Sequence, residues 1–146
     1  MEPLDESLAR LGDPDPRRRD VAAAEIGDLL RGGGLGFAAA TAAVARLVES
    51  ALGEQDFLAR ESALHAITEA FGRYEFPLEV VAPLATGRAG IEPVLLGYVL
   101  YILSATHDPR ACPLVRPFLD HPDPGVREEA ALALTEIPCP APARSA

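Results

Sequence analysis

An internal repeat constrains this chain more than any other feature of its 146 residues. Segments beginning at Leu11, Leu52, Leu84 and Leu119 align without gaps, and their starts lie 41, 32 and 35 residues apart. Four residues after the leading leucine stands Asp15, Asp56 or Asp123 in three of the four. A carboxylate at that point can cap a helix by accepting a backbone N–H. Pro16 and Pro124 then take the first helical position, where a missing N–H costs nothing. Further on come Ala22 with Ile26, Ala63 with Ile67, Leu95 with Val99 and Ala130 with Leu134. That spacing of four returns to one face of a helix.

A second amphipathic stretch precedes each leading leucine, over residues 4–11, 37–52, 77–86 and 108–119. The unit is therefore helix, tight turn, helix, repeated about four times. Glycine at 32–34 ends one helix, and breaks are expected near Tyr74 to Pro77 and Thr106 to Pro109, since proline cannot continue a helix. Residues 1–138 read as one domain and 139–146 as a flexible Pro/Ala tail. Composition agrees: 49% of the residues are hydrophobic but only 5% are aromatic, the signature of closely packed Ala, Leu and Val helices.

The run Asp13 to Ile26, with its Asp-Pro-Asp-Pro turn, Arg19, Ala22 and Ile26, resembles the HEAT-repeat pattern. His121 to Leu134 resembles it more closely, and both are similar to the short HEAT-like repeats named after phycobilisome lyases. The resemblance extends over nearly the whole chain through repeats one, two and four. It implies an all-α, right-handed α-solenoid of about four HEAT-like helical hairpins. In that family the turn aspartate and the arginine four residues later commonly form polar ladders between repeats. By resemblance the role passes to Asp15, Arg19, Asp56, Arg60, Asp123 and Arg127. Repeat three departs, with Arg88 in the aspartate position and Glu92 in the arginine position, and the swapped signs leave pairing with a neighbour open.

At 100° per residue, the second helix of each repeat presents a common outward sector. Asp20, Glu61 and Glu128 form one acidic row there, and Asp28, Glu69 and Glu136 another, with His65 between them. Rows about 10 Å apart repel by only about 0.4 kcal/mol per pair in water, a cost that ordinary solvated surface also carries. Two readings stand side by side: idle surface, or an acidic face for a cationic partner. The repeat-three helix, within residues 91–106, interrupts the rows and is apolar all round. Such a helix must be covered, by its own chain, by a partner or by a second copy in a homodimer. The same count points Pro93, Gly97, Leu100 and Tyr101 outward, and with Tyr98 they would supply an apolar anchor inside an acidic rim.

The formal net charge of −9 repels phosphate backbones and anionic membranes and attracts basic proteins. No secretory signal is read at the start, and the localisation expected is cytoplasmic, with Cys112 and Cys139 reduced and Cys112 a small buried hydrophobe. Catalytic, metal and cofactor sites are expected to be absent. His65, His107 and His121 lack partners at ligand spacing, and the glycines at 32–34 lack the strand before and the Lys after that a phosphate loop needs. The function expected is a non-catalytic protein-interaction module with an acidic face. An immunity or inhibitor protein against a basic toxin is a special case of it. The rival class is a HEAT-like enzyme, either of the DNA-glycosylase type, which the acidic face disfavours, or of the bilin-lyase type, which rests on repeat similarity alone.

Overall fold

A computed structural model describes residues 2–140, and every regular element among them is helical. Helices α1 (Pro3–Arg10), α2 (Pro16–Gly32), α3 (Phe37–Gly53) and α4 (Phe57–Phe71) make up the first half. The second half holds α5 (Leu78–Val81), α6 (Pro83–Thr86), α7 (Leu96–Ala105), α8 (Cys112–Val115) and α9 (Pro124–Glu136), joined through short 3₁₀ turns.

The expected caps are made. Asp15, Asp56 and Asp123 accept the backbone N–H of Arg17, Ala59 and Gly125, and Pro16 and Pro124 open their helices. Gly33 closes α2 with φ of 71°, a left-handed conformation that costs a residue without Cβ little. Two stretches depart from expectation. Residues 77–86 form two short helices with Pro83 opening the second, and residues 108–119 form 3₁₀ turns around α8. Pro83, Pro113 and Pro117 each remove a backbone donor, so neither stretch sustains a continuous α-helix.

Packing orders the elements. Helix α2 lies against α4, α4 against α7, and α7 against α9, while α1 packs on α2 and α3 on α4. Gly27 of α2 permits close approach, because a Cβ there would stand 3.1 Å from Cα and Cβ of Ala66 in α4. Ile26, Leu30, Leu47, Leu64, Ile67, Leu84, Leu95, Val99, Ile102 and Leu103 share one continuous buried core. Leu134 is only partly buried: α9 turns Val126, Ala130, Ala133 and Ile137 inward instead. It ends the series, packing on α7, α8 and the 116–120 turn, with no later helix among the described residues to cover its other side.

Two expectations are corrected here. Cys112 and Cys139 are joined in a disulfide, not held as reduced thiols; α9 returns the chain across α8 and brings the two Cα atoms to 5.8 Å. The tail assignment changes with it, since Cys139 is tied to the domain while 141–146 lie outside the described residues. The all-apolar helix α7 is covered by its own chain over Leu96, Val99, Leu100, Ile102 and Leu103. Among the described residues no helix is long and apolar enough to cross a membrane.

Candidate functional site: an acidic groove across four helices

Three depressions join along the face formed by α2, α4, α7 and α9. The first, of about 410 Å³, lies between α2 and α4 and is bordered by Asp28, Arg31, Glu61, His65, Glu69 and Tyr98. The central one, of about 650 Å³, shares Glu61, Glu69 and Tyr98 with the first and adds Val94, Gly97, Tyr101 and Glu129. The third, of about 420 Å³, shares Gly97, Tyr101 and Glu129 with the central one and ends at Leu132 and Glu136. Shared walls make these one groove. Its border carries five carboxylates (Asp28, Glu61, Glu69, Glu129 and Glu136) against one guanidinium, that of Arg31.

Inside the groove the polar groups are loosely partnered. Arg31 donates to Asp28 at 2.9 Å, and His65 Nε2 lies 3.4 Å from Glu69 one turn along α4. The Tyr98 hydroxyl donates to Glu61 at 3.4 Å. Partial burial and the neighbouring Glu61 charge both raise the Tyr98 pKa, since each disfavours a phenolate. Tyr98 meets His65 edge-on, with ring centroids 6.2 Å apart. Tyr101 is 52% exposed, and Val94 and Leu132 are exposed beside it. Gly97 has a specific role: an added Cβ would collide with the Glu129 carboxylate, so the missing side chain lets that carboxylate lie over α7.

Of the residues proposed from sequence for partner contact, Asp28, Glu61, His65, Glu69, Tyr98, Tyr101 and Glu136 border the groove. Three do not serve as expected. Leu100 is 1% exposed and belongs to the core, reaching the third depression only as its floor. Asp20 sits at the α2–α4 seam, where its carboxylate accepts from the Ser62 hydroxyl. Glu128 is exposed away from the groove, and its neighbour Glu129 takes the place. The rotation of α9 accounts for the exchange, since an inward stripe through Val126, Ala130 and Ala133 turns Glu129, not Glu128, toward α7.

Of the three arginines expected in a ladder, two link successive repeats, and they do so through acids other than the turn aspartates. Arg19 donates through Nε and one terminal nitrogen to Glu54, both at 2.9 Å, linking the first repeat to the second. Arg60 donates to the carbonyls of Ala51, Glu54 and Gly90 and to the Glu92 carboxylate, linking the second to the third. Glu92, in the position where repeat three departs from the pattern, thus pairs with Arg60. Asp15, Asp56 and Asp123 are caps, and Arg127 donates to the carbonyls of His121 and Pro122 in its own turn.

Glu54 was missed from sequence. It is buried, and its Oε1 also accepts the backbone N–H groups of Gln55 and Asp56. Burial opposes its charge, but Arg19 and those two N–H groups hold its pKa below the ordinary glutamate value. Glu92 is held low in the same way, against desolvation, by its own backbone N–H and by Arg60.

No family model matches the chain, and no curated protein does. Among solved structures it is similar to an engineered protein determined by the Northeast Structural Genomics Consortium. The identity is 16% and the TM-score 0.63, with 93% of this chain and 62% of that chain covered. The present chain therefore spans about three-fifths of that one. At this identity the likeness concerns the fold alone.

Proposed function

We propose that the chain is a right-handed solenoid of four HEAT-like hairpins and a non-catalytic module that holds a basic segment of another protein along the groove. The observation that carries the binding proposal is the groove itself. It crosses all four second helices with five bordering carboxylates, one guanidinium and two tyrosines. A concave surface lined by one sign of charge focuses its field and raises the local concentration of the opposite charge. Exposed Val94, Tyr101 and Leu132 add apolar contact area of the kind that interface centres use. The order α2, α4, α7, α9 and the Arg19–Glu54 and Arg60–Glu92 links support the repeat reading.

Titration with a nine-residue oligolysine tests this. Wild type is expected to bind, with affinity falling at least tenfold between about 50 and about 300 mM salt as screening shortens. Glu61→Arg with Glu69→Arg is expected to abolish the interaction while leaving the melting temperature nearly unchanged. Binding that ignores both salt and charge reversal overturns the proposal.

A further inference from the structure

Building on the acidic-groove proposal, we infer that the central cavity is an anchor for an arginine side chain of an extended partner segment. The span sets the length of the occupant. Four helices in series at about 8–10 Å spacing cover roughly 24–30 Å, which about eight or nine residues of extended chain bridge at about 3.3 Å each. A helix would need about 16–20 residues for the same span, so the shorter extended segment is the economical occupant.

The walls set the chemistry. Glu61 and Glu69 stand on the α2 side of the central cavity and Glu129 on the α9 side, so a cation placed there has carboxylates on both flanks. Tyr98 and Tyr101 border the same cavity, and Tyr101 is exposed enough to offer a ring face. A planar guanidinium can stack on an aromatic face while its fork reaches two carboxylates. An ammonium meets the charge but has no plane to stack. The cavity therefore favours arginine over lysine at equal net charge. Gly97 contributes by omission: glycine within a helix costs about 1 kcal/mol relative to alanine, yet here it leaves Glu129 its place over α7.

Paired titrations with nona-arginine and nona-lysine separate this inference from the proposal beneath it. Wild type is expected to prefer nona-arginine by about three- to fivefold, the upper part of the scale of an exposed cation–π contact. Tyr101→Ala should bring the ratio to within about twofold, and Tyr101→Phe, which keeps the ring, should restore it. Gly97→Ala should also reduce the preference by displacing Glu129, without lowering the melting temperature. Equal binding of the two peptides to wild type, or an arginine preference that survives Tyr101→Ala, overturns the anchor and leaves the acidic groove standing. Absence of binding by either peptide overturns both.

Discussion

Replacing Arg60 by alanine tests the polar link between the second and third repeats most directly. Arg60 is 6% exposed, and its guanidinium serves three carbonyls and a carboxylate from two separate stretches of chain, at 51–54 and 90–92. The four acceptors are not equally vulnerable. Gly90 is exposed and the Glu92 side chain is 35% exposed, so water can replace their donor at small cost. The bonds to Ala51, at 3.0 Å, and to Glu54 are buried, and those carbonyls lose their side-chain donor. Each such loss costs about 1–3 kcal/mol, and the arginine stem also leaves a space behind it. A destabilisation of about 3–5 kcal/mol follows from the two buried carbonyls and the lost packing together. At about 2–4 °C per kcal/mol for a domain near this size, the melting temperature should fall by roughly 10 °C. Calorimetry or a helical circular-dichroism melt measures it, and oligolysine affinity should be unchanged where the variant is folded. A fall of less than about 3 °C, or lost binding at unchanged stability, refutes the assignment.

Two further outcomes are expected. Reducing the disulfide or making Cys112→Ser frees a loop with a sequence separation of 27, for which chain entropy gives about 3.5 kcal/mol and a melting temperature lower by about 10 °C; equal melts with and without reductant would contradict this. Glu54 has a folded pKa below its unfolded value, so its contribution is complete above the unfolded value of about 4.3 and is lost as pH falls through the folded one. Glu54→Gln should flatten the acid limb of stability below about pH 4.3, and a limb of unchanged slope would remove Glu54 from its cause.

What the sequence revealed was local. Asp15 and Asp56 are readable as caps because the acceptor and the donor it serves lie within three residues. Breaks at Gly33 and before Leu78 and Pro109 follow from backbone chemistry of the residues themselves. What escaped depended on how one helix is turned against another. A single helical count for all repeats placed Leu100 outward and Glu128 in the groove. The mid-chain α7 is enclosed by neighbours, and α9 turns toward the only side it can cover. Glu54 falls outside the repeated positions, so no pattern drew attention to it. The disulfide required knowing that α9 folds back over α8, which no spacing of two cysteines reveals.

The distribution of charge carries the functional argument one step further. All thirteen bases are arginine, which suits planar, multidentate links, and two of the most enclosed, Arg19 and Arg60, are spent on joining repeats. Arg31 alone borders the groove, where it serves Asp28. Bases interspersed among these acids would lower even the small repulsion between them, and the groove has only Arg31. Instead the buried carboxylate, Glu54, holds a guanidinium, while Glu61 has a long bond from a phenol and Glu69 an imidazole. Under the groove proposal, stability and recognition draw on different carboxylates of one chain. Variants of Glu54 should move melting and spare binding, and variants of Glu61 and Glu69 should do the reverse. A correlated loss in both sets would show that the groove acids are part of the framework, and the basic-partner proposal would fall with that separation.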